Sequence, residues 1–202
     1  TLEMSGVPLE FTTLTQNGGT LNPSVTVDAP DTFTYSNGTF NGSLTNNGQT
    51  SLNNNFTSGL RPVNDGTVDL LATRTLTANG TGLDNNGTLN MAGGTLTGTG
   101  ALVNDGAISS AGFVTITGSG GFANNGQLTL SSGVFTLGNS GPNTNSGSVN
   151  LAFQNDMLMN AGLANGGALN LNGGNLSGSG ILTNSVGGSL NGAGAVTTDI
   201  VN

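Results

Sequence analysis

The chain has 202 residues, of which only 6% are charged, with two arginines, no lysine, no histidine and a formal net charge of -8. This balance excludes nucleic-acid binding, because neutralising phosphates needs a basic stripe that the chain lacks. No apolar run approaches the roughly 20 residues of a membrane span, so no membrane insertion is expected. The absence of cysteine rules out disulfides and thiolate metal sites, so stability must come from packing.

Residues 1–36 are predicted to form an irregular N-terminal cap or an atypical first coil. They contain Pro8, Pro23 and Pro30 and short alternating pieces such as Val25–Val27. One fragment, Asn17–Asn22, matches the repeat that follows, but the next marker glycine comes only about thirty residues later. Terminal repeats are commonly atypical because they cover the open end of a stack.

Residues 37–202 are predicted to form the repeats of a solenoid. The unit reads apolar, any residue, Asn, Asn or Asp, Gly, any residue, apolar, and Leu83–Leu89 is its clearest copy. Intervals of 18 to 21 residues separate the marker glycines, and a fixed period in this range indicates a solenoid rather than a single globular core. The marker glycines are Gly48, Gly66, Gly87, Gly106, Gly126, Gly147 and Gly167.

Each coil of about 20 residues is predicted to contain three short strands separated by glycine-rich corners. In the coil over residues 87–106 these are Thr88–Met91, Thr95–Thr97 and Ala101–Val103. Runs of three to five residues with alternating apolar side chains favour strands, and helices would need longer runs and fewer glycines. The predicted class is therefore all-β, a right-handed parallel β-helix, because parallel crossovers are right-handed in about 98% of cases.

Stacking the coils predicts three apolar columns that form the core, since one coil alone cannot bury its apolar face. The first column holds Leu89, Leu128, Val149 and Leu169; the second holds Leu96, Ile116 and Leu176; the third holds Leu102, Phe122, Leu163 and Leu182.

A column of asparagines precedes the marker glycines and is predicted to form an amide ladder. Asparagine tolerates the left-handed region, and its amide can bond to the backbone or to the next asparagine in the stack. The glycine after it is predicted to take a positive φ at the corner. A row of ligand-binding amides is the functional alternative. The column contains Asn46, Asn64, Asn85, Asn104, Asn124, Asn145 and Asn165.

The second strand of each coil displays outward Thr-x-Thr pairs, each twenty residues after the last. The pairs are Thr75/Thr77, Thr95/Thr97 and Thr115/Thr117, and beyond them the pattern is expected to degrade to Val134/Thr136 and Asn175/Ser177. Such arrays resemble those of β-helical ice-binding proteins, which makes this ladder the one speculative binding site. Threonine is also a favoured outward strand residue, so scaffold surface is the preferred interpretation.

The ten acidic residues are scattered, and no convergent carboxylate pair suited to acid–base catalysis is evident. Asp65 and Asp105 share a corner column two coils apart, about 9–10 Å at the usual strand spacing, which is the outer edge for inverting glycoside hydrolysis. Corner aspartates replacing asparagine are the preferred interpretation. The chain has glycine pairs but no aspartate at the offset that calcium-binding solenoids require. No enzyme, metal or cofactor is therefore predicted.

The units Asn85–Asn90, Gly93–Gly100 and Gly188–Gly194 resemble the β-helical passenger regions of bacterial autotransporter adhesins and filamentous-haemagglutinin-like secreted proteins. The resemblance spans about residues 37–202. It implies an exported structural or adhesive β-solenoid at the bacterial cell surface: a stalk, adhesin segment or filament subunit. A host or surface glycan is the ligand that such a role allows. The alternatives are an ice-binding β-helix and a carbohydrate-active β-helix enzyme.

The last residues repeat the start of a corner, because Ile200–Asn202 reproduces Leu102–Asn104. An uncapped parallel coil offers unpaired backbone groups and open apolar columns. The sequence therefore predicts continuation of the stack, either by further residues of a longer chain or by head-to-tail self-association of copies.

Overall fold

The computed structural model describes residues 9–202, and these residues form 26 strands and no helix. Parallel strands stack in about 9 turns of roughly 20 residues, so the predicted all-β class and the β-solenoid are confirmed. The strands belong to two sheets, one of 16 strands and one of 10. Each coil contributes three runs, of which the first two share the larger sheet.

The first run supplies ten strands in stacking order: β1 (Thr13–Leu21), β3 (Thr32–Phe40), β5 (Gln49–Leu52), β8 (Thr67–Leu70), β11 (Thr88–Met91), β14 (Ala107–Ile116), β16 (Gln127–Leu137), β18 (Ser148–Leu151), β21 (Ala168–Asn170) and β24 (Ser189–Asn191). The second run comprises β6 (Phe56–Ser58), β9 (Thr75–Ala78), β12 (Gly94–Gly98), the second halves of β14 and β16, β19 (Asp156–Met159), β22 (Asn175–Ser177) and β25 (Ala195–Val196).

The third run forms the smaller sheet: β2 (Val25–Val27), β4 (Leu44–Asn46), β7 (Val63–Asn64), β10 (Gly82–Asn85), β13 (Ala101–Asn104), β15 (Phe122–Asn124), β17 (Asn143–Asn145), β20 (Leu163–Asn165), β23 (Ile181–Asn184) and β26 (Asp199–Val201). At a strand spacing of about 4.8 Å, ten stacked strands make a rod about 45 Å long.

The core is one continuous column of side chains inside the coils, from Leu21 to Leu182. Alternation explains it directly: in β11 the side chains of Leu89 and Met91 are buried, while Thr88 and Asn90 face outward. At the N-terminal end the aromatic rings of Phe40 and Phe56 pack with centroids 5.1 Å apart. Each coil thus contributes only a few apolar side chains, and stacking alone makes them a core.

The first predicted column is confirmed, because Leu89, Leu128, Val149 and Leu169 follow one another through parallel pairings, with Ile108 filling the intermediate coil. All are buried. The third column is also buried, but Asn143 takes the place of an apolar residue between Phe122 and Leu163. Its Oδ1 accepts the N–H of Phe122 at 3.0 Å, which satisfies the buried amide.

The second predicted column was wrong at Leu176. Leu96 pairs with Ile116, and Ile116 pairs with Leu137, but Leu176 pairs with Met157, which pairs with Phe135. The reason is that two of the intervening coils are longer than twenty residues, with steps of 21 from Ile116 to Leu137 and 22 from Leu137 to Met159. An equal spacing therefore misplaces Leu176 by two residues, onto the neighbouring buried column.

The N-terminal region predicted as a cap contributes β1 and β2, which are the end strands of the two sheets. β1 pairs with β3 in parallel, with irregular register around Asn17 and Thr20. β3 spans the predicted boundary after residue 36. Pro8 lies outside the described residues.

Candidate functional site: the repeated polar columns and the threonine face

The asparagine column forms a buried, directional amide ladder. In every rung the Nδ2 of one asparagine donates to the Oδ1 of the asparagine in the next coil, at 2.6 to 2.9 Å, from Asn46 to Asn184. The seven predicted members are no more than 3% exposed. Most rungs also donate to a backbone carbonyl; Asn104, for example, donates to Gln127 O at 3.1 Å. The predicted ladder is confirmed, and its amides face the interior, away from any external ligand.

Thr50 begins the ladder, a contact that the sequence pattern did not reveal. Thr50 is completely buried, and it pairs with Val68 of the next coil. Its Oγ1 donates to Asn46 Oδ1 at 2.9 Å. The hydroxyl supplies the donor that a preceding asparagine would otherwise provide, since Val27 occupies that place. At the other end, Asn184 Nδ2 donates to Gly188 O at 3.3 Å.

The marker glycines were predicted to need a positive φ, and that prediction was wrong: none of the seven has one. Glycine is required instead because successive corners approach very closely. A Cβ on Gly106 would overlap the carbonyl oxygen of Gly87, and one on Gly126 would overlap that of Gly106. The N–H groups of Asp105 and Gly106 both donate to Asn85 O, at 2.8 and 2.9 Å, and this holds the corners together.

The threonine pairs lie on the outward face of the second run, as predicted. Thr75, Thr95 and Thr115 pair with one another in sequence, and Thr97 pairs with Thr77. Thr117 follows directly after β14, and its N–H donates to Leu96 O at 2.9 Å. These six side chains are partly exposed.

The array is larger than the sequence indicated. Thr136 pairs with Thr115 and extends the first column, and Thr57 pairs with Thr77 and extends the second. The register predicted for Val134 and Thr136 was wrong, because β16 carries a one-residue bulge at Ser131, so that Val134 pairs with Phe113 and Thr136 with Thr115. Beyond Thr136 the column continues with Leu158 and Ser177. We call these eight residues the threonine face: Thr57, Thr75, Thr77, Thr95, Thr97, Thr115, Thr117 and Thr136.

Carboxylates at the corners accept hydrogen bonds from amides of neighbouring coils. Asn86 Nδ2 donates to Asp65 at 2.7 Å, and Asn125 Nδ2 donates to Asp105 at 2.8 Å. Asn86 thus occupies the coil between the two aspartates singled out as a remote hydrolytic pair. Asp69 lies on the outward face of β8 instead, and it accepts from Gln49 and from Asn90, both at 2.8 Å. Asp65 and Asp105 thus stand in a corner column with asparagines, and the carboxylates join adjacent coils.

Ionisable side chains form only one ion pair among the described residues, between Arg61 and Asp84. Within residues 9–202, no cluster of three or more acidic, histidine or cysteine side chains has metal-binding geometry. Burial raises the pKa of the Tyr35 phenol, whose hydroxyl donates to Gly38 O at 2.5 Å. No helix in the same range is long and apolar enough to cross a membrane.

Two exposed aromatic side chains, Phe113 and Phe153, were missed in the sequence. They are 77% and 72% exposed, although phenylalanines elsewhere in the coils fill the core. The available signal was the alternation in Phe113–Ile116, where Val114 and Ile116 are the inward residues and Phe113 must point outward with Thr115. In a glycine-rich chain with one tyrosine and no tryptophan, an outward phenylalanine stands out as a candidate contact residue.

The chain matches no protein-family model, no curated protein and no solved structure.

Proposed function

We propose that the chain is a structural or adhesive rod of the bacterial cell surface, working as a stalk, adhesin segment or filament subunit rather than as an enzyme. One observation carries the proposal: the side chains that repeat from coil to coil serve stacking. The buried amides bond along the axis, and the corner carboxylates join adjacent coils. The side chains that recur in each coil therefore contribute to the length and stiffness of the stack, as a spacer requires.

Composition and repeat pattern support the same role. An extracellular rod has to hold its shape without a large globular core, and nearest-neighbour stacking supplies this. The repeat units resemble those of autotransporter and filamentous-haemagglutinin-like passenger regions, which is the basis for the proposed export and surface location. Antibody labelling of intact source cells tests that location, and labelling confined to permeabilised cells would contradict it.

Rigidity can be tested with two cysteines, because the natural chain has none. Thr26 and Thr183 are exposed in β2 and β23, in one outward column separated by eight steps of the smaller sheet. Fluorescence energy transfer between dyes on Thr26→Cys and Thr183→Cys should report a single narrow distance of about 38 Å. A broad distribution of distances in native buffer would contradict a spacer role.

A second candidate, ice binding, is favoured by the enlarged threonine face. Two columns of four threonines repeat at about 4.8 Å along the axis, and the two columns lie two residues apart along each strand. Ice recrystallisation assays at micromolar protein test this function. Thr95→Tyr changes the threonine face, whereas Thr129→Tyr changes the first run. If inhibition disappears in the first variant and persists in the second, the face binds ice and is not only scaffold surface.

A further inference from the structure

Asparagine followed by glycine recurs along this chain, and this dipeptide is prone to spontaneous deamidation. The backbone nitrogen of the glycine loses its proton and attacks Cγ of the asparagine, and Nδ2 leaves as ammonia. Water then opens the five-membered succinimide to aspartate or to isoaspartate. Glycine permits the attack because it has no Cβ beside the attacking nitrogen. In a folded chain, the rate therefore depends on where that nitrogen and the side-chain amide are held.

At the corners of the solenoid, hydrogen bonds to the preceding coil hold both reacting groups. The N–H of Gly87 donates to Asn64 O at 2.8 Å, and Asn86 Nδ2 donates to Asp65 at 2.7 Å. The corner at Asn125–Gly126 repeats both contacts with the coil before it. The glycine nitrogen is therefore directed at a backbone carbonyl, and the amide that would leave is bonded to a carboxylate. Reaction at these positions requires the corner to open first.

Asn37 and Gly38, in β3, have a different arrangement. The N–H of Gly38 donates to Oδ1 of Asn37 itself at 2.9 Å, so the nitrogen lies beside the Cγ that carries this oxygen. The φ of Gly38 is 115°, a conformation that glycine adopts readily. The attacking atom and its target are thus already neighbours in the folded chain, which lowers the cost of bringing them together.

Neither solvent exposure nor local sequence distinguishes the two kinds of pair. Asn37, Asn86 and Asn125 are all exposed. Residues 37–39 and 86–88 have the same sequence, Asn-Gly-Thr. The difference lies in the hydrogen-bond partner of the glycine nitrogen, which is a carbonyl of the preceding coil at the corners and the neighbouring side chain at Asn37.

We propose that Asn37 is a modification site of the folded chain, where deamidation yields aspartate or isoaspartate, and that stacking protects the Asn-Gly pairs of the corners. Each event consumes a water molecule and releases ammonia. Isoaspartate lengthens the main chain by a carbon atom just before Thr39 and Phe40, which pair with β1. Modification at Asn37 therefore loosens the pairing of the first two strands of the larger sheet.

Protection of the corners has a physical consequence for the corner column. Asn86 lies in the coil between Asp65 and Asp105, and Asn125 donates to Asp105. Deamidation of Asn86 would place a third carboxylate about 4.8 Å from its neighbours along the axis, and like charges facing one another destabilise adjacent strands. The held amides keep the carboxylates of this column apart.

The test compares the folded chain with the chain unfolded in guanidinium chloride, both incubated in mildly alkaline buffer at physiological temperature. Samples are unfolded in acid and digested with pepsin, and mass spectrometry measures the deamidated fraction of each Asn-Gly peptide over time. In the unfolded chain, Asn37 and Asn86 should react at similar rates because their sequences match. In the folded chain, Asn37 should react at least about tenfold faster than Asn86 and Asn125.

Asn37→Gln removes the reactive pair, and Asn86→Gln is the matched control in the same tripeptide. The folded Asn37→Gln variant should release less ammonia than the natural chain, whereas folded Asn86→Gln should release as much. Thermal transitions recorded before incubation check that both variants fold, and the peptide map of the natural chain decides the question if one does not. Equal rates at Asn37 and Asn86 in the folded chain would overturn the proposal, as would undiminished ammonia release by Asn37→Gln.

Discussion

Asparagine at the ladder position does work that neither an apolar nor a charged side chain can do. Asn104 accepts from Asn85 at 2.6 Å and donates to Asn124 at 2.7 Å, with both partners buried. A carboxylate has no hydrogen to donate onward, and an apolar group provides neither contact. The same chemistry explains Thr50, because the first rung needs a donor and a buried hydroxyl provides it.

Replacing Asn104 with leucine should therefore destabilise the rod, although both side chains branch at Cγ and have the same number of heavy atoms. The change leaves Asn124 Oδ1 without its donor and removes one acceptor from Asn85, so we expect the free energy of unfolding to fall by about 2–5 kcal/mol. Asn125→Ser is the control, since Asn125 is exposed and the next coil carries Ser146 at that corner. Denaturant titrations of both variants measure the difference. If Asn104→Leu lowered the free energy of unfolding by less than about 0.5 kcal/mol, the ladder would contribute little to stability.

Single coils depend on the glycine corners for their spacing. The carbonyl oxygen of Gly87 lies where a Cβ on Gly106 would be, whereas a Cβ on Gly59 would have its nearest neighbour, Asn41 O, at an ordinary 3.5 Å. Neither residue has a positive φ, so the two positions differ in space and not in backbone conformation. This pair separates crowding from the loss of glycine's flexibility.

Gly106→Ala should lower the free energy of unfolding by more than about 2 kcal/mol, because the corner backbone has to move away from its neighbour. Gly59→Ala should stay within about 0.5 kcal/mol of the natural chain or stabilise it slightly. Thermal and denaturant unfolding followed by far-ultraviolet circular dichroism measure both. Equal effects at the two positions would mean that the corners are not held by close approach.

Period and alternation predicted the elements well, because both follow from rules that act within a coil and between adjacent coils. The strands of residues 87–106, the first apolar column and the asparagine ladder are examples. The register of strands across several coils was harder to predict. The inserted Ser131 and the longer corner around Phe153 change the number of residues per coil without breaking the alternation of buried and exposed side chains. That is why Leu176 and Thr136 were assigned to the wrong columns. Ala72, Gly93 and Phe113 of three successive coils line one shallow surface depression, and no local sequence pattern describes it.

Within residues 9–202, each of the two sheets ends in strands that pair on one side only. β24 and β26 are the last strands in the order of their sheets, and Ile200 and Val201 in β26 are exposed. At the opposite end β1 and β2 are the first strands. An edge of parallel strands offers a row of backbone donors and acceptors to a further coil, which either additional residues of the same polypeptide or a second copy can supply.

For the isolated 202-residue chain we therefore propose head-to-tail association, and a contact of this type does not close on itself, so it yields filaments. The weight-average mass from light scattering should rise with protein concentration. Introducing Ile200→Lys and Val201→Lys together should keep the chain monomeric, because lysine on an edge strand opposes strand addition. Val186→Lys adds a charge at an exposed residue that lies outside the strands, and it should associate like the natural chain. A concentration-independent monomer mass for the natural chain would contradict the proposal, as would equal association by the double-lysine variant.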